Sequence, residues 1–153
     1  MPELKRILLA EDNPEDVELT LSALAEHQLV NEVAVVRDGA EALDYLYARG
    51  AYRNRADGRP AVVLLDMKMP KVDGLEVLRT LKADASMRTI PVVMLTSSRE
   101  EKDLVESYRL GVNAYVVKPV DFREFIDAVK NLGLFWAVLN EPPPARATRA
   151  VRS

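Results

Sequence analysis

The chain of 153 residues has no cysteine, one histidine and only 6% aromatic residues. Without cysteine it can form no disulfide, no thiolate metal site and no cysteine nucleophile, which fits a reducing, cytoplasmic setting. Glu11 and Asp12 end the first apolar stretch early, so neither a signal peptide nor a membrane span is predicted. The net charge of −3 and the lack of a basic run in the apolar-rich body disfavour binding to nucleic acid or to a membrane surface.

What the chain does contain is enough apolar residues, 48%, to bury the core of one domain. Five short runs rich in Val, Ile and Leu are typical of strands buried on both faces, and they lie at 7–10, 33–36, 61–65, 92–95 and 114–117. Segments with helical spacing alternate with these runs. Such alternation predicts right-handed βαβ units, and therefore a doubly wound α/β fold, (βα)5, with a five-stranded parallel sheet.

The helical segments and the polar stretches set the outline of this fold. The fourth predicted helix is the weakest, with Leu104 and Tyr108 on a polar stretch that ends at Gly111. Asp121 is the predicted N-cap of the fifth helix. A long polar connection spans 48–60, and we predict one domain over 1–140 with an extended C-terminal helix, followed by a disordered tail with Pro and Arg over 141–153.

Chemistry-bearing side chains follow four of the five runs. They are Glu11 and Asp12 after the first, Asp66 after the third, Thr96 with Ser97 after the fourth, and Lys118 with Pro119 after the fifth. Ligands of open parallel sheets bind at the carboxyl ends of the strands, so these residues are expected to meet at one edge. The clustered carboxylates repel one another unless protons or a cation neutralise them. Oxygen ligands without His or Cys favour Mg²⁺, with Mn²⁺ as an alternative.

Each of these residues also has an ordinary structural interpretation. Asp12 with Asn13-Pro14 could cap a helix, Asp66 could lie in a turn, Thr96 could cap the next helix, and Lys118 could be a surface residue. Capping explains neither the lysine nor the shared edge. We therefore predict that Asp66 is a nucleophile that forms an acyl phosphate, that Lys118 pairs with a phosphoryl oxygen, and that the Thr96 hydroxyl donates to another.

Taken together, four segments resemble the receiver domain of two-component response regulators over about residues 5–130. They are Ile7-Leu8-Leu9-Ala10-Glu11-Asp12-Asn13, Leu64-Leu65-Asp66-Met67-Lys68-Met69-Pro70 with Asp73-Gly74, Leu95-Thr96-Ser97-Ser98, and Tyr115-Val116-Val117-Lys118-Pro119. The resemblance implies a flavodoxin-like sheet of order 2-1-3-4-5. One position departs from the commonest receiver pattern, because Ser97 stands where many receivers have Ala or Gly, and donor preference or dephosphorylation rate could differ.

The resemblance also implies a role for each matching residue. Asp66 would accept a phosphoryl group from a histidine kinase, with no catalytic turnover beyond intrinsic dephosphorylation. Glu11, Asp12, Asp66 and the backbone carbonyl of Lys68 would hold Mg²⁺. Thr96 and Tyr115 would form the switch pair, and the Lys118–Pro119 bond would be cis.

A second resemblance rests on the 48–60 segment and on Phe135-Trp136-Ala137-Val138-Leu139-Asn140-Glu141-Pro142-Pro143-Pro144. These features look like those of single-domain receivers that partner phytochrome-type histidine kinases. That likeness implies a homodimer through the fourth predicted helix, the fifth strand, the fifth helix and the C-terminal extension, including Phe135 and Trp136. The alternative is that both aromatic residues only cover the edge of their own domain.

Three other functions compete with that of a phosphate-accepting receiver. A phosphatase of the haloacid dehalogenase kind needs a second aspartate two residues after the nucleophile, where this chain has Lys68. A transcription factor needs a DNA-binding domain, and about twenty residues after the fifth helix are too few. A degenerate receiver that only docks would lack an acid or the lysine, and none is missing. His27, in the first predicted helix, is interpreted as a surface residue. The kinase, its signal and the downstream target are not encoded in any recognisable motif.

Overall fold

The computed structural model describes residues 6–25, 33–55, 58–97, 109–112 and 114–131, except for the side chains of 122 and 129–131. Its strands are β1 (Ile7–Ala10), β2 (Val33–Val36), β3 (Val62–Asp66), β4 (Val92–Thr96) and β5 (Ala114–Val117). Its helices are α1 (Pro14–Ala25), α2 (Gly39–Leu46), α3 (Gly74–Ala83) and α4 (Phe122–Asn131), with a 3-10 turn at Gly50–Tyr52. The helix α4 is the fifth helix of the sequence prediction.

All five strands pair in parallel in the order β2-β1-β3-β4-β5, which confirms the predicted doubly wound, flavodoxin-like fold. The central strand β3 is buried along its whole length, as is β4. Both extend one residue beyond the predicted apolar runs, because Asp66 pairs with Leu95 and Thr96 pairs with Val117 in the ladder. Two polar residues of the predicted site are therefore the last residues of strands and are fixed by the sheet.

Apolar side chains cover both faces of the sheet, as the continuous apolar runs require. On one face, α2 and α3 pack against alternate strand residues such as Leu8, Leu65 and Met94. On the other face, α1 and α4 contribute Leu24 and Phe125 to a second cluster. Burial on two sides leaves the strand ends as the places where polar groups reach solvent, and this positions the site.

Short polar side chains begin each described helix. Asn13 caps α1, because its Oδ1 accepts from the backbone N–H of Glu15 at 2.8 Å. The alternative in which Asp12 caps α1 is therefore wrong, and the Asp12 carboxylate is exposed at the mouth of the site. Asp73 caps α3 through the N–H of Glu76, and Asp121 caps α4 as predicted.

The polar connection after α2 folds back onto aromatic side chains of that helix. The Tyr52 hydroxyl donates to Glu41 Oε2 at 2.5 Å, and the Tyr52 ring meets the Tyr45 ring edge-on, with centroids 5.1 Å apart. The Arg55 guanidinium lies 4.2 Å from the Tyr45 ring centroid. Contacts of Tyr45 and Tyr52 therefore hold the first half of this polar connection against α2.

Several predictions from the sequence lie outside the described residues. They are the fourth predicted helix with Leu104 and Tyr108, the histidine His27, the extension to residue 140 with Phe135 and Trp136, and the tail over 141–153. The domain boundaries therefore stay predictions. Among the described helices, none is both long enough and apolar enough to cross a membrane.

The start of α3 packs directly on the backbone of Asp66. A Cβ atom at Gly74 would lie 2.1 Å from the Asp66 carbonyl oxygen and 2.9 Å from Met67 Cα. We expect Gly74→Ala to lower the free energy of unfolding by about 3 kcal/mol in denaturant titrations, because backbone atoms must move to admit the methyl group. As a control, Gly58→Ala meets no atom within 4 Å and is strained only by a φ of +75°, so it should cost about 1 kcal/mol. Equal losses in the two variants would contradict this close approach.

Candidate functional site

A cleft of about 210 Å³ opens at the carboxyl edge of the sheet, where the sequence placed the site. It lies at the ends of β1 and β3 and at the start of α1, with contributions from the segments that follow β4 and β5. Its lining residues are Glu11, Asp12, Asn13, Asp16, Asp66, Met67, Lys68, Ser97 and Lys118. The strand-end carboxylates and the lysine predicted to converge are therefore together.

Three acids in the cleft could share a metal ion. One carboxylate oxygen from each of Glu11, Asp12 and Asp66 lies within 4.8 Å of the others. Glu11 is completely buried and Asp66 is 5% exposed, whereas Asp12 faces solvent. The backbone N–H of Glu11 donates to the Val36 carbonyl at 3.0 Å, which extends the β1–β2 ladder and fixes Glu11. This all-oxygen donor set fits a hard divalent cation, and one open side lets it keep water ligands.

The buried Glu11 carboxylate carries a large pKa shift. Burial raises its pKa from 4.5 to about 7, and the neighbouring charge of Asp66 adds to the rise, although Lys118 opposes it. A side-chain hydrogen bond joins Glu11 to Asp66, and the backbone N–H of Asn13 donates to Glu11 Oε2 at 3.2 Å. Glu11 therefore exchanges a proton near neutral pH.

Lys118 is the cation at the centre of these acids. Its Nζ lies 3.0 Å from Asp16 Oδ2, 3.2 Å from Asp66 Oδ1 and 3.3 Å from Glu11 Oε1. Burial acts to lower the pKa of Lys118, but the hydrogen bond to Asp16 and the charges of Asp66 and Glu11 outweigh it and raise the pKa above its ordinary value. The ammonium therefore stays charged throughout the physiological pH range.

The backbone fixes the position of this lysine. The Lys118 N–H donates to the Thr96 carbonyl at 2.7 Å, which continues the β4–β5 ladder by one residue. The Lys118–Pro119 peptide bond is cis, as the resemblance to receivers implied. Lys118 thus enters the cleft from the end of an ordered strand.

The remaining predicted residues are placed around this core of charges. Thr96 is buried at the end of β4 and does not line the cleft, whereas its neighbour Ser97 does. Lys68 lines the cleft just after Asp66. Tyr115 is half-buried on β5 and pairs with Met94, two residues before Thr96 on the neighbouring strand, so Thr96 and Tyr115 belong to the same face of the sheet.

One charged residue of the cleft was missed by the sequence prediction. Asp16 lies in the first turn of α1, one helical turn after Asp12, and contacts Lys118. The sequence prediction took its residues from strand ends and from the receiver motifs, and Asp16 belongs to a helix. The available signal was an acidic residue in the first turn of the helix that follows the acid pair at the end of β1.

Known proteins resemble this chain in both sequence and fold. The response regulator receiver domain family matches residues 7–130. The bacteriophytochrome response regulator AtBRR has a solved structure that is 68% identical to this chain, with a TM-score of 0.84, and the match covers 92% of this chain and 100% of that one. The phosphorylated cyanobacterial phytochrome response regulator RcpA is 42% identical, with a TM-score of 0.71, over 88% of this chain and 94% of its own.

A third relative is the response regulator Rcp1 of Synechocystis sp., which is 38% identical over 86% of this chain and 88% of its own length. Its Mn²⁺-bound form has been solved, with a TM-score of 0.70 over 92% of this chain and 99% of that one. The acid cluster of Glu11, Asp12 and Asp66 is typical of a receiver metal site. The fold, the site and these relatives agree that this chain belongs to the response regulator receiver domain family and is a phosphorylation switch related to the phytochrome response regulators.

Proposed function

We propose that Asp66 accepts a phosphoryl group from a histidine kinase of the phytochrome type and that the phosphorylated chain signals through protein contacts. The observation that carries this proposal is the Lys118 ammonium, held 3.2 Å from Asp66 Oδ1 and beside a cluster of acids that fits a divalent cation. Relatives that match most of the chain are named as bacteriophytochrome or phytochrome response regulators, which supports the choice of kinase.

The transfer uses side chains already in place. An Asp66 carboxylate oxygen attacks the phosphorus atom, the bond between phosphorus and the histidine nitrogen breaks, and its electron pair stays on the imidazole, which takes up a proton from water and leaves as the neutral ring. An acyl phosphate forms on Asp66. Lys118 pairs with one phosphoryl oxygen and offsets charge that develops during transfer. Asp66 ends strand β3 and lines this small cleft, where its carboxylate can meet an incoming phosphoryl group.

We propose Mg²⁺ as the resident cation, with Mn²⁺ as a substitute. Glu11, Asp12, Asp66 and the Lys68 carbonyl would hold it, and when bound it would neutralise charge on the transferring group. The solved Mn²⁺-bound form of Rcp1 supports a divalent cation in this class of protein.

Thr96 and Tyr115 are proposed as the switch pair. The Thr96 hydroxyl would move toward the phosphoryl group, and the Tyr115 ring would turn inward into the space that this movement leaves. Their shared face of the sheet and the half-buried state of Tyr115 on the edge strand β5 support this coupling. Phosphorylation then shifts the balance between two surfaces instead of building a new one.

This switch is proposed to have no catalytic turnover beyond slow hydrolysis of its own acyl phosphate. Lys68, two residues after Asp66, stands where a phosphatase of the haloacid dehalogenase kind has its general acid. A receiver that only docks without phosphate is disfavoured by the complete set of acids and lysine in the cleft. Signalling by phosphorylation is therefore the function that these side chains support best.

Phosphorylation is tested by incubating the protein with Mg²⁺ and phosphoramidate and measuring its intact mass. The wild type should gain about 80 Da, and Asp66→Asn should gain nothing because the amide is not nucleophilic. The matched control Asp121→Asn alters an exposed aspartate that caps α4 and should still gain the adduct. No adduct on the wild type, or an undiminished one in Asp66→Asn, would refute the proposal.

Mg²⁺ affinity should depend on pH through Glu11. A pKa of about 7 means that the cation must displace a proton below that pH, so calorimetric affinity should rise about tenfold from pH 6 to pH 8. Because the folded pKa lies above 4.5, the contribution of Glu11 to metal-free stability is complete below pH 4.5 and is lost as pH rises through 7. The Glu11→Gln variant should lose this dependence, and equal wild-type affinities at pH 6 and pH 8 would contradict the displacement of a proton from Glu11 by the cation.

A homodimer is proposed through the helix predicted between β4 and β5, through β5, and through α4 with the residues after it. The position of β5 at the edge of the sheet supports this face, as does the presence of Phe135 and Trp136 shortly after α4 in the sequence.

Light scattering tests the dimer at several protein concentrations. Trp136→Ala should shift the size distribution toward monomer, because an aromatic anchor contributes strongly to an interface. Leu19→Ala removes an exposed apolar side chain from α1 instead and should leave the distribution unchanged. If Trp136→Ala behaves like Leu19→Ala, Trp136 covers only its own domain.

A further inference from the structure

The first turn of α1 supplies a carboxylate that the proposed mechanism does not use. Asp16 Oδ2 is the nearest of the three carboxylate oxygens around Lys118 Nζ, at 3.0 Å. The backbone N–H of Asp16 donates to Asn13 Oδ1 at 3.2 Å, so the cap of α1 fixes this turn. Among the described residues, the acid cluster that could share a metal ion includes Glu11, Asp12 and Asp66 but not Asp16.

The three carboxylates around Lys118 differ in what happens to them when the site is occupied. A divalent cation on Glu11 and Asp66 offsets their negative charge and also repels the nearby ammonium. A phosphoryl group on Asp66 turns that carboxylate into an acyl phosphate. Asp16 lies outside the acid cluster that could share a metal ion and is not the residue that accepts the phosphoryl group, so neither event occupies its carboxylate. Its attraction for Lys118 therefore persists when that of the other two falls.

Resting on the function proposed above, we infer that Asp16 is a positioning residue that keeps the Lys118 ammonium beside Asp66 while a cation and a phosphoryl group occupy the cleft. A lysine ammonium has three N–H donors, so one bond to Asp16 leaves two for phosphoryl oxygens. The Lys118 side chain is 16% exposed and that of Asp16 is 27% exposed, which limits the screening of the pair by water. Without the Asp16 charge, repulsion by the cation turns Lys118 toward solvent.

The first test compares two variants that each remove one negative charge from the same helical turn. Asp16→Asn should slow adduct formation with phosphoramidate at saturating Mg²⁺ by about fivefold, because the transferring group loses part of its stabilisation by Lys118. Glu15→Gln alters the exposed neighbouring acid and should change the rate by less than about twofold. Equal rates in the two variants, or a faster reaction in Asp16→Asn, would overturn the inference.

A double-mutant cycle asks whether Asp16 acts through Lys118. In a Lys118→Met background, Asp16→Asn should slow the reaction no further. In the metal-free protein, the shifts in thermal midpoint should be non-additive by about 2 to 4 °C, a readout that does not require phosphorylation. Additive thermal shifts would overturn the positioning role of Asp16 but would leave the proposed phosphorylation of Asp66 intact. A wild type that forms no adduct would contradict the proposed function as well, and the two failures are thereby distinguished.

Discussion

Repulsion among carboxylates at the edge of the sheet is the constraint on which the rest of the site depends. Glu11, Asp12 and Asp66 bring ligand oxygens within 4.8 Å of one another, and two of these residues are buried. Burial first, and then the charge of Asp66, raise the pKa of Glu11, and Lys118 offsets part of the negative charge through its contacts with Asp66 and Glu11. An added cation or phosphoryl group therefore alters the electrostatic energy of the site, because each changes its net charge.

The repulsion would fall if the acids could move apart, but the fold holds them in place. Asp66 is the last residue of the central strand and pairs with Leu95, while the start of α3 packs against its carbonyl oxygen through Gly74. Glu11 is tied to Val36 across the β1–β2 ladder. Close-packed apolar clusters on both faces of the sheet support these strands. The packed core therefore holds the carboxylates close together although they repel one another.

The same backbone connects the site to the outer strand of the sheet. The N–H of Lys118 donates to the Thr96 carbonyl, so the ends of β4 and β5 are held together next to the cleft. Tyr115, three residues before Lys118, is half-buried on β5, which is an edge strand. The proposed switch would connect Asp66 to this edge strand through Lys118 and the end of β5.

The sequence by itself determined the strands and their alternation with helices. It also determined that Glu11, Asp12, Asp66 and Lys118 share one edge of the sheet. Apolar runs and the polar residues that follow them can be read from short stretches of sequence. The resemblance to receiver domains also implied the cis Lys118–Pro119 bond and the strand order, and the structure has both. Only the tertiary structure decided that Asn13, and not Asp12, caps α1, that Glu11 is buried enough to titrate near neutral pH, and that Asp16 reaches Lys118. The cap depends on which neighbouring side chain accepts the N–H of Glu15. The environment of Glu11 and the contact of Asp16 depend on Lys118, which is 107 and 102 residues away along the chain, and no local pattern contains such distances.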